Sequence, residues 1–202
     1  LESLIQIWSY IFKMVIFSKS LITIKDENGQ AILEVDNGVR DKISAAKLAE
    51  LPASFSAFKE MGQRVVNQVY KDQLQSLHSP GNSPALVDGA SLLLIASENA
   101  CQQYNLTPRA RIRHFANASD EPVKMLTGHI RSTEKLLKAC NLNTNDIDLW
   151  EVNESFAASV MNFRDHFKID NNTLNVNGSA IAMGHPLGAR RYRRQPHQHF
   201  IR

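Results

Sequence analysis

The chain has 202 residues, 43% hydrophobic and 21% charged, which fits an ordinary globular protein and excludes a disordered or fibrous one. Its formal net charge is +3, but five arginines fall in the last 13 residues and the remainder is slightly acidic, so the basicity does not mark a nucleic-acid-binding body. The two cysteines, Cys101 and Cys140, have no CxxC or Cys/His spacing, which argues against a structural metal and for a reduced, cytoplasmic setting.

Apolar residues Leu4, Ile5, Trp8, Ile11, Phe12 and Val15 recur at helical spacing, and with Glu2, Lys13 and Lys19 they predict an amphipathic helix rather than a membrane span or a signal peptide. Residues 20–25 predict a strand, Asn28-Gly29 a hairpin turn, and residues 31–35 the returning strand. Residues 41–50 predict a helix that Leu51-Pro52 ends, residues 53–77 are mixed, and residues 79–84 (SPGNSP) form a dense loop signal. Residues 91–95 predict a buried strand, Ser97 caps a helix through Tyr104, and residues 110–115 predict another strand. Helices are expected over 130–140 and 155–167, strands over 147–152 and 174–176, and a glycine-rich loop over 177–188. Strands alternating with helices predict a layered α/β domain.

Three segments carry chemically useful side chains. Residues 152–157 (VNESFA) pass from a strand end into a helix, where ligands of open α/β folds bind. There Asn153 can orient a water or a substrate, or cap the helix; Glu154 can act as an acid or a base, or favour the helix's positive end. In residues 175–188 (NVNGSAIAMGHPLG), His185 sits in a Gly-His-Pro turn from which it can donate to a developing oxyanion. Residues 78–90 (HSPGNSPALVDGA) suit a loop touching a phosphate or pantetheine arm, or an ordinary turn.

In this order the segments resemble the motifs of the thiolase family. NVNGSAIAMGHPLGA resembles its C-terminal signature, VNESFA its Asn-Glu-Ala-Phe-Ala motif, GNSPALVDGA its Gly-Asn-Ser-Ser-Gly-x-x-Asp-Gly-Ala motif, and MLTGHIRSTEKLLKACNL its Met-x-Thr-Gly-Pro segment with the helix after it. The resemblance implies an incomplete thiolase-like layered α/β fold, a mixed sheet with helices on both faces. It divides the chain into the end of an N-terminal half with a loop-subdomain remnant (1–87), an incomplete C-terminal domain (88–189) and a basic tail outside the family pattern (190–202).

The resemblance also implies acyl transfer between coenzyme A and acyl-CoA, by 3-oxoacyl-CoA thiolysis or acetyl-CoA condensation. His185 and Asn153 match the catalytic residues that hold the thioester oxyanion; Met125, Phe156 and Ser83 match positions at the bound substrate. Coenzyme A enters as a substrate, with no permanent cofactor and no metal. The expected partners are CoA and acyl-CoA in a homo-oligomer, with no nucleic acid and no membrane; a mitochondrial or peroxisomal setting is the alternative to the cytoplasm. Neither Cys101 nor Cys140 fits the family's nucleophile motif, and Pro84, Ala85, Ser179, His129 and Arg131 depart from its patterns. These departures predict an inactive fragment, with a noncatalytic acyl-CoA-binding or subunit-interaction module as the alternative. An incomplete fold also predicts an exposed apolar face.

Overall fold

The structure, a computed structural model, describes residues 22–35, 38–39, 44–188 and 200–201. The helix expected over the first fifteen residues and most of the basic tail lie outside the described residues.

Strands β1 (Ile24–Lys25) and β2 (Ala31–Leu33) form an antiparallel hairpin. The turn is closed by Asp26, whose Oδ1 accepts from the backbone N–H of Asn28 (2.9 Å) and Gln30 (2.7 Å). Helix α1 (Ala45–Ala49) starts at Ser44, whose side chain accepts from Lys47 N–H. A 3₁₀ turn (Ser56–Phe58) then leads into α2 (Lys59–Val66), a helix in the stretch that had no clear periodicity. Helix α3 (Glu98–Gln103) begins where expected, with Ser97 accepting from Ala100 N–H (3.2 Å).

The strands expected over 91–95 and 110–115 are absent: these residues have no regular structure and are mostly exposed, Leu92 at 97%. A strand needs a neighbour to receive its N–H and C=O groups, and among the described residues neither segment is paired in a sheet. Residues 91–95 have the apolar composition of a strand buried in a sheet, but here Leu92, Leu93, Leu94 and Ile95 are exposed, as are Ile112 and Phe115.

The core begins at residue 130. Helix α4 (Gly128–Cys140), strand β3 (Leu149–Trp150) and helix α5 (Ala157–Phe167) enclose Ile130, Leu137, Ile147, Trp150, Val152, Val160, Phe163, Ile169 and Leu174. On α4 the inward residues Ile130, Thr133 and Leu137 follow i, i+3, i+7. Thr133 is buried without cost to its hydroxyl, which donates to His129 C=O (2.7 Å). Both helices stop through a left-handed residue: Asn141 (φ 53°) after α4 and Lys168 (φ 55°) after α5. The chain then folds back, with Leu142 N–H on Leu137 C=O (2.9 Å) and Ile169 N–H on Arg164 C=O (3.0 Å).

Helix α6 (Ala180–Met183) forms inside the glycine-rich segment. β4 (Phe200–Ile201) runs antiparallel to β3, and Leu174 makes a parallel bridge to Trp150, the one rung of the strand expected over 174–176. The architecture is an incomplete α/β fold, helices packed with small two-stranded sheets.

His129 packs its ring on Phe163 (centroids 5.3 Å apart) and donates from Nε2 to Ser159 C=O (3.2 Å). Burial lowers its pKa from the ordinary value of 6.5, partly offset by that hydrogen bond. The unfolded chain therefore binds the proton more readily. Stability is full above pH 6.5 and is lost as pH falls through that value toward the folded pKa. Urea midpoints at pH 7.5 and 5.5 should show this loss, and His129→Gln should flatten it; equal slopes in both proteins would contradict the assignment.

Candidate active site

Three segments converge on the start of α5. The first is the loop from β3. Trp150 N–H donates to Thr173 C=O (2.8 Å) and Asn175 N–H to Trp150 C=O (2.7 Å). One step further, the Asn175 side-chain amide replaces a strand backbone: Oδ1 accepts from Val152 N–H (2.7 Å) and Nδ2 donates to Val152 C=O (2.9 Å). Asn175 is 2% exposed and in the left-handed region (φ 46°), which asparagine tolerates better than most residues. Glu154, 6% exposed, accepts from Asn175 Nδ2 on Oε1 (3.2 Å) and from Ile181 N–H on Oε2 (2.9 Å). Asn153 lies between these anchors. Its Nδ2 donates to Ser155 Oγ (2.8 Å), and its buried Oδ1 has no hydrogen-bond partner among the described residues.

The second segment is α6 and the turn after it. His185 N–H donates to Ala85 C=O (2.7 Å), and His185 bridges Leu86 in parallel. Gly184 has φ +83°, and a Cβ there would overlap Val87 Cγ1. Gly89 faces Pro186, whose Cβ would be 2.8 Å from an added Cβ. These close approaches seat the His-Pro turn against residues 85–89, leaving an open cleft of about 440 Å³ lined by Asp88, Ser91, Pro186 and Leu187 among others. Gly184→Ala should lower stability by about 1–3 kcal/mol through its left-handed backbone alone. Thermal melts should show that loss, and adding Val87→Ala should recover only the part due to the clash. Full recovery would mean that the backbone is unstrained.

The third segment is the loop over residues 78–84. Asn82 closes it: Oδ1 accepts from Ser79 N–H (2.9 Å) and Nδ2 donates to Leu77 C=O (2.9 Å). Asn82 C=O accepts from Ala157 N–H (3.0 Å), one of the unpaired donors at the start of α5. His78 lies on Phe156 (centroids 4.2 Å), and Phe55 meets both rings edge-on at 6.1–6.2 Å. Ser83 is half-buried, its Oγ 3.4 Å from Asn82 Oδ1.

The family model "Thiolase, C-terminal domain" matches residues 106–198. A steroid 3-ketoacyl-CoA thiolase of Mycobacterium tuberculosis is 38% identical over 86% of this chain and 37% of its own length. The dimeric peroxisomal thiolase of Saccharomyces cerevisiae superposes with a TM-score of 0.71 at 28% identity, covering 93% of this chain and 43% of that one. Human mitochondrial 3-ketoacyl-CoA thiolase in complex with CoA gives 0.70 at 26%, covering 92% and 42%. The chain belongs to the thiolase family. It carries a C-terminal thiolase portion and spans 37–41% of the length of curated relatives it matches.

Of the five site residues expected from the thiolase resemblance, Phe156 and Ser83 meet at the loop that docks on α5, and Asn153 and His185 occupy the two segments that Glu154 joins. Met125 stands apart, 79% exposed with φ 58°, on a turn knotted by Glu121. That carboxylate accepts from Val123 N–H (2.9 Å), Lys124 N–H (2.9 Å) and Tyr70 hydroxyl (3.1 Å). These bonds, Val123's foremost, hold its pKa below the ordinary carboxylate value. Of the roles open to Glu154, neither oxygen is left idle: each accepts from a group of the protein itself. Sequence reasoning missed Asn175, Phe55 and Val87. Only Asn175 left a signal, an asparagine inside the segment read as a strand over 174–176.

Proposed function

We propose that this chain supplies the oxyanion side of a thiolase-type acyltransferase acting on acyl-CoA, in thiolysis of 3-oxoacyl-CoA or condensation of acetyl-CoA. The observation that carries the reading is the tethering of the Asn153 loop to the His-Pro helix, with a buried amide oxygen of Asn153 left open. In acyl transfer to sulfur, charge develops on the thioester oxygen. His185 donates from its imidazole to that oxygen. Asn153 Oδ1 accepts one hydrogen of a water, whose other hydrogen points at the same oxygen. Neither donor must reorganise as charge develops, which makes such groups effective. Phe156, with His78 and Phe55 behind it, gives the pantetheine end an apolar wall; Ser83 and Met125 complete the substrate contacts.

The attacking thiolate is not on these segments. Cys101 lies on α3 and Cys140 ends α4, both as free thiols. The described chain therefore binds acyl-CoA and polarises its carbonyl without turning it over. In the regional division proposed here, residues 1–87 end an N-terminal half, 88–189 form the C-terminal domain and 190–202 are a basic tail. Homo-oligomeric assembly, a cytoplasmic setting and CoA as substrate, with no permanent cofactor, belong to the same reading. The yeast relative is dimeric and the human one was solved with CoA, which supports the assembly and the substrate.

Calorimetry with acetyl-CoA on the full chain should show saturable binding that His185→Ala weakens, and acetoacetyl-CoA with CoA should show no thiolysis. Absence of heat at millimolar ligand would overturn the site; robust turnover would overturn the placement of the nucleophile elsewhere.

A further inference from the structure

We propose that Glu154 is a positioning residue of this site, whose carboxylate sets the Asn153 loop against the helix that leads to His185. The proposal rests on the reading of Asn153 and His185 given above.

Asn153 immediately precedes Glu154, and Ile181 lies one helical turn before His185. A single carboxylate therefore ties the two segments together, on one side through Asn175 Nδ2 (3.2 Å) and on the other through Ile181 N–H (2.9 Å). The bond to Asn175 is shielded from water, Glu154 at 6% exposure and Asn175 at 2%, and the bond to Ile181 is partly buried. Asn175 cannot reverse its amide to suit a different partner, because Val152 N–H fixes its Oδ1 (2.7 Å). Beyond α6, the His-Pro turn has its own anchor at Ala85 C=O (2.7 Å). Glu154 thus acts on the approach to His185 while residue 85 fixes its far side.

Glutamate is the side chain this junction requires. Both neighbours are N–H donors, so both oxygens must accept, as only a carboxylate can. A glutamine would accept from one neighbour and turn its own NH₂ on the other. An aspartate is one methylene too short to reach both. Because its oxygens are engaged by the protein, Glu154 works on geometry and not as a carrier of the reacting proton.

The test uses the full chain labelled with ¹⁵N-histidine, at one pH, as wild type, Glu154→Gln, Glu154→Asp and a core control, Ile147→Ala. Both Glu154 variants should shift the ring nitrogen resonances of His185, while the control, though less stable, leaves them in place. With [1-¹³C]acetyl-CoA bound, the carbonyl resonance should move at least halfway back to its free position in Glu154→Gln, with affinity changed less than threefold. Unchanged His185 resonances in Glu154→Gln would overturn the proposal. Should the wild type fail to bind acetyl-CoA, the functional reading falls, and the His185 comparison still decides the role of Glu154. Should both variants fail to fold, amide exchange in the wild type decides. Ile181 N–H is expected to be protected at least a hundredfold, and exchange at the free-peptide rate would overturn the proposal.

Discussion

Phe163→Ala should cost about 3–5 kcal/mol, the usual range for deleting a buried phenylalanine. Phe163 is 0% exposed and is the point where the core elements meet. It lies 4.7 Å from Phe167, 5.7 Å edge-on from Trp150 and 5.3 Å from His129, centroid to centroid. Such ring pairs add to the area term. The alanine variant would leave a cavity bounded by α4, α5 and β3, into which the His129 ring, held by its hydrogen bond to Ser159 C=O, cannot freely collapse. Against a typical stability of about 5–15 kcal/mol, this loss consumes a large share. Urea unfolding followed by far-ultraviolet circular dichroism should show a much lower midpoint, with Phe163→Leu between. A shift worth under about 1 kcal/mol would mean that the core does not depend on this ring.

The second large effect is expected from Asn175→Ala. Removing the amide leaves Val152 N–H, Val152 C=O and one oxygen of Glu154 short of a partner inside the protein. Each buried group left unsatisfied costs about 1–3 kcal/mol. Alanine is also poorer than asparagine in the left-handed backbone found there (φ 46°). A loss of about 3 kcal/mol or more follows, since these groups form one network and their costs do not simply add. Asn175→Asp should be at least as damaging, because its second oxygen would face Val152 C=O and Glu154. Urea titrations of the two variants check both statements; a near-neutral Asn175→Asp would refute the assigned amide orientation.

What the sequence made legible follows from range. Ser97 as a cap, Asn28-Gly29 as a turn and the period of residues 130–140 depend on neighbours within a turn or two, and all appear as read. Residues 91–95 read as a buried strand from their apolar run and 110–115 as a second strand, yet a strand exists only beside another strand. α2 was hidden because it is only eight residues long and none of them is buried against a core. At the candidate site, the motif residues were visible as chemistry. Their coupling was not: Glu154 and Asn175 lie 21 positions apart, and only the folded chain turns an asparagine amide into a substitute peptide group.

Every buried hydrophobic residue among those described lies at or beyond Ile130. On a ribosome, residues 22–127 emerge before the core residues at and beyond Ile130 have been made. At about 5–20 residues per second, that interval lasts roughly 5–20 s. Leu92, Leu94, Ile112 and Phe115, made late in that interval, are then accessible to chaperones and to one another, and they stay exposed once the core has formed. Folding of this chain is thus led from its later-made end, and completing the core does not take the apolar side chains of the earlier segments out of water.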